Sequence, residues 1–402
     1  MPHLMNKITI ATTYIIASQV YAGNTELQQI QELRNEIALL KLQTIKQNQF
    51  NDQNTKVKRE EGKRNSVNFI TKNGSQINLY GFVRADAAYQ FEGGDTIFNR
   101  INKVALDEDA NKYLTEDRLD STLTTTRIGL DFNTPLLNQN LSAKVELDFR
   151  GGDKNDTVRL RHAYLNLNNW LIGQTTSSFL STETTPEMVD FNGVLGSGTY
   201  RTPMIRYNNK LNNNTQYFLG LERANEDNRL PTATAKISHK FANGKGILTG
   251  RGEVQEVRAR EVNDSTAIGW GVGLGVKYEP ENMILNLNYS HVSGDNKYML
   301  YNTNNYISND DDIDLVDLST FTIGATYKFN PKLRSTLAYS AMYYDNNVST
   351  GNDNLQQAWL NVMYNPIKPI TFALEYVYGE RETVKGLSGT DSRLEVMAKY
   401  DF

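Results

Sequence analysis

The sequence predicts an all-β protein: a sixteen-stranded antiparallel transmembrane β-barrel, preceded by a short α-helical coiled coil. Three observations carry that prediction. The chain ends in Asp391–Phe402, where Leu394, Val396, Ala398, Tyr400 and Phe402 alternate with Arg393, Glu395, Met397, Lys399 and Asp401. A period of two is the mark of a strand with one apolar and one mostly polar face. As a soluble edge strand this segment is an aggregation hazard, whereas a barrel pairs the last strand with the first. The second observation is that sixteen such segments are separated by connections of alternating length. The third is that no stretch approaches the roughly 20 apolar residues of a membrane-spanning helix.

Composition agrees. The chain has 402 residues, no cysteine and a formal net charge of −4. A hydrophilic chain crosses a membrane only as a barrel, in which every second residue meets lipid. Tyrosine (22) outnumbers phenylalanine (15), which suits aromatic girdles at the two interfaces. The absence of cysteine excludes disulfides and thiolate metal sites.

Residues 1–22 read as a signal peptide. Lys7 supplies the charged start, Ile8–Ile16 the apolar core, and Val20-Tyr21-Ala22 the small-residue cleavage site. Met5 is an alternative start. Residues 23–50 read as a coiled coil, since Ile30, Leu33, Ile37 and Leu40 fall at a, d, a and d of a heptad. An amphipathic helix packed on a domain is the blander alternative, but the chain that follows is polar. Residues 51–77 read as a charged linker.

Residues 78–402 form the barrel. Strands are expected near Leu79–Phe91, Ser121–Asn133, Leu141–Arg150, Thr157–Asn168, Trp170–Thr176, Arg201–Asn208, Asn214–Glu222 and Thr232–Phe241. Eight more lie near Gly246–Arg258, Ala267–Glu279, Met283–Ser293, Asp317–Asn330, Leu333–Asp345, Leu355–Asn365, Pro369–Gly379 and Asp391–Phe402. The tenth is apolar on one face and offers Gly269, Gly271, Gly273 and Gly275 on the other. On a barrel wall, such a face leaves room for something to fold inward. Each odd connection is longer than the even one after it. With an even strand count both ends lie in the periplasm, so the short turns are periplasmic and the long loops external.

The polar faces carry charge. Arg84 and Asp86 share a face, as do Arg127 and Asp131, and Arg150 closes the run Lys144, Glu146, Asp148. Arg159 and Arg161 are two apart, roughly 7 Å along a strand. Arg201 and Arg206 share the sixth strand but fall on opposite faces, and Arg393 lies on the closing strand. Charge on the lipid face is costly, so most of these point into the lumen. Mutually neutralising ion pairs across a plugged barrel are the plainer reading. Yet the chain is acidic and its wall is arginine-rich, and a ring of guanidinium groups selects anions and binds carboxylates bidentately. In the fourth strand an inward Arg159 and Arg161 would turn His162 and Tyr164 outward, which predicts a bulge that resets the register or a covered strand.

Ser177–Tyr200 is the candidate constriction. Phe179, Leu180, Met188, Val189, Phe191 and Leu195 make it too apolar for a solvated loop. Glu183, Glu187 and Asp190 on it would face the basic wall and complete a transverse field.

LYGFVRADAAYQFEGGD, STLTTTRIGLDFNTP, KVELDFRGGDKNDTVRLRHAYL and NWLIGQTTSSFLSTETTPEMVDFNGVLGSGTYRTPMIRY resemble the DcaP family of trimeric outer-membrane porins. The resemblance is dense over Leu79–Tyr207 and mostly architectural after it. It implies a homotrimer and uptake of anionic solutes, dicarboxylates above all, through an arginine-bearing constriction at Arg84, Arg127, Arg150, Arg159, Arg161, Arg201 and Arg206. The outer membrane of a Gram-negative bacterium is then the location, with the coiled coil in the periplasm. Outer-membrane lipid is a partner, and the barrel-assembly machinery is another, through the strand ending in Tyr400 and Phe402.

Competing readings are a general non-selective porin, a barrel enzyme or a structural tether. The chain has four histidines. His239 and His291 fall on outward faces with no acid-base partner beside them, a poor start for a hydrolase. The acidic outer residues Asp310, Asp311, Asp312, Asp314 and Asp317 offer calcium-type ligands, but exposed acidic loops usually bind none and the spacing matches no EF-hand, so no metal site is assigned. No cofactor and no nucleic acid are expected.

Overall fold

In the computed structural model, residues 67–402 are described apart from 72–73, 137–138, 263, 296, 302–303, 309–311 and 346–347. The expected signal peptide, the coiled coil and most of the linker lie outside these residues.

Sixteen staves form one closed antiparallel barrel. They are β1 (Gln76–Glu92), β2 (Arg118–Thr122 and Arg127–Leu136, in two pieces), β3 (Gln139–Gly151), β4 (Thr157–Leu167), β5 (Trp170–Thr176), β6 (Arg201–Lys210), β7 (Thr215–Glu222) and β8 (Thr232–Phe241). Then come β9 (Gly246–Arg258), β10 (Thr266–Tyr278), β11 (Met283–Ser293), β12 (Asp317–Asn330), β13 (Leu333–Asp345), β14 (Asn352–Tyr364), β15 (Ile370–Thr383) and β16 (Ser388–Asp401). Each pairs with its sequence neighbours, because the short turns between them allow nothing else. A further strand, Val67–Ile70, pairs with Gln76–Leu79 on β1. The break in β2 was not foreseen. There Thr125 Oγ1 donates to Asp86 at 2.7 Å, and Thr126 Oγ1 accepts from the Arg84 amide at 3.1 Å.

The barrel closes at the predicted seam. β1 runs antiparallel to β16 from Phe82 opposite Asp401 to Gln90 opposite Arg393, which sets Arg84 opposite Lys399. Phe402 extends the ladder by exchanging backbone hydrogen bonds with Gly81 at 3.0 and 3.2 Å. Tyr400 faces outward and is exposed. Gly81 is required here, since a Cβ on it would lie 2.3 Å from the Arg127 carbonyl oxygen and 2.9 Å from the Phe402 ring. Gly81→Val is expected to slow assembly and to lower stability by about 1–3 kcal/mol, the range for overpacking. Heat-modifiable gel mobility reads both effects, and wild-type assembly in the variant would count against this role.

Alternation holds around the wall. On β10, Ile268, Trp270, Val272 and Leu274 are exposed on the outside while the glycines face in. The room they leave is used. A Cβ on Gly271 would meet the Phe179 ring at 2.8 Å, and one on Gly275 would meet Thr184 Oγ1 at 2.5 Å. On β4 the predicted bulge is present. Glu146 faces His162 but Leu147 faces Leu160, so Arg161 is the extra residue. Beyond it Leu165 and Leu167 point outward.

The apolar core lies inside the barrel. Phe179, Leu180, Val194 and Leu195 from the inward segment pack with Ile101 and Val104 of the first outer connection and Tyr298 and Met299 of a later one. All of them lie against Leu318, Met342, Leu355, Trp359 and Val377 on the β12–β15 wall. The sequence marked Ser177–Tyr200, through its apolar residues, as folding into or over the barrel. It gave no such sign for the other two connections.

Candidate functional site: an arginine-lined cavity beside the inward segment

With the core on one side, the remaining lumen lies against β1–β6. A cavity of about 1310 Å³ there is lined by Arg84, Arg127, Arg150, Arg159, Arg161 and Arg201. Arg100, Lys103, Lys297 and Lys399 add positive charge, against Asp95, Asp109, Asp153 and Asp190. Six of the arginines singled out from sequence therefore meet in one place.

Their partners divide them into two sets. Arg159 forks onto Asp148 through Nε at 2.9 Å and Nη2 at 2.7 Å. Arg161 bridges Glu146 at 2.8 Å and Asp148 at 2.7 Å. Arg127 reaches Glu146 at 3.5 Å and lies over the Phe82 ring. Arg84 is held by Asp86 at 2.7 Å, and its Nη2 donates to the Val189 carbonyl at 2.5 Å, tying the wall to the inward segment. Arg150 and Arg201 form no ion pair among the described residues. The Arg150 guanidinium instead sits 5.1 Å from the Phe98 ring centre and 5.6 Å from that of Phe191. Arg201 Nε has no hydrogen-bond partner among the described residues. Charge-assisted donors left without a carboxylate favour an incoming anion.

Other sequence candidates are placed differently. Asp86 sits behind Arg84, outside the cavity lining. Arg206 also lies outside that lining, with its guanidinium over Phe218 at 5.5 Å. Arg393 is fully buried and holds Asp190 at 2.5 Å, Glu395 at 2.7 Å and Asp391. It is an anchor rather than a lining group.

The acids of the inward segment also depart from expectation. Instead of facing the arginines across open space, each is paired. Glu183 binds Lys236 at 2.8 Å, Glu187 binds Arg334 at 2.7 Å, and Asp190 binds Arg393. Burial alone would raise the Glu183 pKa, but Lys236 outweighs it and holds the carboxyl below its usual range. The reason is geometric. The segment crosses the lumen, so Glu183 and Glu187 meet cations on β8 and β13 that the sequence left unremarked, while Asp190 meets Arg393 of the closing strand. Glu375 completes the docking by accepting from the Val189 and Asp190 amides at 2.9 and 2.7 Å. Asn286 and Asn288 both donate to the Thr184 carbonyl. Inward phase on β15 and β11 was the only sequence signal for these residues. Phe98, Arg100 and Lys103 gave none, because they come from an irregular connection.

The comparisons with known proteins agree with this architecture. A family model described as DcaP outer membrane protein matches residues 12–402. The crystal structure of the outer membrane channel DcaP of Acinetobacter baumannii is 40% identical, with a TM-score of 0.78, and the match covers 84% of this chain and 100% of that one. An anion-selective porin from Comamonas acidovorans shares the fold at 13% identity, with a TM-score of 0.57, over 82% of this chain and 100% of that one. The trimer form of OmpT from Vibrio cholerae does so at 14% identity, with a TM-score of 0.55, over 82% and 99%. Comparison with curated protein sequences gives no match. The chain belongs to the DcaP outer membrane protein family and is an outer-membrane porin channel.

Proposed function

We propose that the channel prefers small anions, dicarboxylates above all, and that the arginine-lined cavity beside the inward segment is its constriction. The observation that carries this reading is the pair Arg150 and Arg201, both lining the cavity and both without an ion pair among the described residues. A solute with two carboxylates can engage both forks, while a cation meets a surplus of positive charge. Arg159 and Arg161 are committed to Asp148 and Glu146, so in this reading they shape the field rather than clamp the solute. The protein works as a homotrimer in the outer membrane, with residues 23–50 as a periplasmic coiled coil and the end at Tyr400 and Phe402 as the signal to the assembly machinery.

Block of the ionic current by a dicarboxylate in planar bilayers tests the assignment. Arg150→Ala with Arg201→Ala is expected to weaken block about tenfold, equivalent to roughly 1.4 kcal/mol. Arg159→Ala with Arg161→Ala is expected to weaken it less. Unchanged block in the first variant contradicts the assignment, and loss confined to the second moves the clamp to the paired arginines.

A further inference from the structure

A second, smaller set of cations lies on the periplasmic half of the β6–β9 wall. Arg206 on β6 points inward, between the outward Ile205 and the short periplasmic turn. It is five residues beyond Arg201, roughly 16 Å along a strand. The Arg206 guanidinium lies 5.5 Å from the Phe218 ring centre, and the Lys236 ammonium lies 5.1 Å from the same centre. Phe218 on β7 stands directly opposite Lys236 on β8, and Lys236 directly opposite Arg251 on β9. Arg251 packs over the glycine face of β10, where a Cβ on Gly273 would lie 2.7 Å from its Nη2.

Like charges directly opposite on adjacent strands repel. Here they are only partly neutralised. Lys236 holds Glu183 at 2.8 Å. Glu222, the nearest acid on β7, accepts instead from Ser177, the Ser178 amide, Thr234 and Tyr298. Glu253 lies two residues from Arg251 on the same strand, but neither of its carboxylate oxygens has a hydrogen-bond partner among the described residues, so it does not hold Arg251. Arg206 and Arg251 form no ion pair among the described residues, and Nε of each lacks a hydrogen-bond partner there. Arg206 Nη1 donates to the Thr176 carbonyl at a long 3.4 Å. Arg251 is buried. A buried or half-buried cation without a counter-ion is costly, and a bound anion removes that cost.

We propose that Arg206 and Lys236, both against Phe218 and backed by Arg251, form a second carboxylate-binding station on the periplasmic half of the pore. This rests on the anion-channel reading. A solute leaving Arg150 and Arg201 meets the Arg206 fork before it reaches the periplasm. Two stations in series let each bind without trapping, because a second solute at the first station repels the one ahead of it. Glu183 offsets part of the charge on Lys236, which keeps the second station weak enough to release.

Single-channel recording on the full-length protein, with succinate as the blocking probe, tests this. Two populations of blocking event are expected. Their residence times should respond differently to voltage, because the two stations lie at different depths in the field. Arg206→Gln breaks no ion pair, so the barrel should keep its wild-type heat-modifiable mobility. It is expected to shorten one population about tenfold, the loss of one charged hydrogen-bonding fork, and to leave the other. Arg150→Ala with Arg201→Ala should shorten only the other. Arg206→Lys, which keeps the charge, should recover part of the lost residence time. Arg251→Gln should shorten the same population as Arg206→Gln by a smaller factor, which provides a second reading if one variant folds poorly. Residence times unchanged by Arg206→Gln and Arg251→Gln overturn the second station and leave the constriction standing. Both populations shortened together by Arg206→Gln would mean one continuous field and overturn it too. No succinate block in the unmodified channel overturns the anion-channel reading as well.

Discussion

Arg393→Ala is expected to destabilise the barrel by roughly 3–5 kcal/mol, the cost of removing one partner of a buried ion pair. Arg393 is fully buried and serves Asp190, Asp391 and Glu395 at once. Without it Asp190, Asp391 and Glu395 lose their shared ion-pair partner in an enclosed site, and Glu375 stands directly opposite Glu395 on the neighbouring strand. Asp190 is also the contact that brings the inward segment to this wall. The variant should therefore show two changes together: a lower unfolding midpoint and a larger, noisier single-channel conductance as the segment swings from its dock. Arg393→Lys keeps the charge but loses the planar fork, so it should fall between the two. A stable Arg393→Ala channel with unchanged conductance would show that the segment is held by its other contacts, without Arg393.

The second large effect is electrostatic. Replacing Arg150 and Arg201 by glutamate swings the cavity charge by about four units and is expected to turn the channel from anion to cation preference. Neither arginine forms an ion pair among the described residues, so the exchange breaks no salt bridge and folding should survive. The same exchange at Arg159 and Arg161 sets new carboxylates against Asp148 and Glu146 and should destabilise the β3–β4 ladder instead. Reversal potentials separate the two pairs. If the glutamate pair at 150 and 201 leaves selectivity unchanged, the field is set elsewhere.

Much of the fold was legible because a barrel strand repeats every two residues and its turns are short. The boundaries of β5, β8, β9, β11, β12 and β13 agree with the sequence reading. The glycine face of β10 pointed to an inward element, and Phe179 and Thr184 fill it. The conflict at Arg161 and His162 pointed to a bulge, and the β3–β4 register contains one. The site was only half legible. Alternation says which face a charge is on, but its partner depends on cross-strand register and on how far a loop reaches. That is why Glu183, Glu187 and Asp190 read as free acids although Lys236, Arg334 and Arg393 hold them. It is also why Arg150 and Arg201 did not stand out from Arg159 and Arg161. Phe98 and Phe191 flank Arg150 from irregular segments, where no period operates.

The most direct test of the anion reading is the reversal potential of the unmodified channel in a planar bilayer under a potassium chloride gradient. A positive cavity predicts a potential on the chloride side of zero, shrinking as salt is raised and the arginine field is screened. A potential on the potassium side would contradict the account.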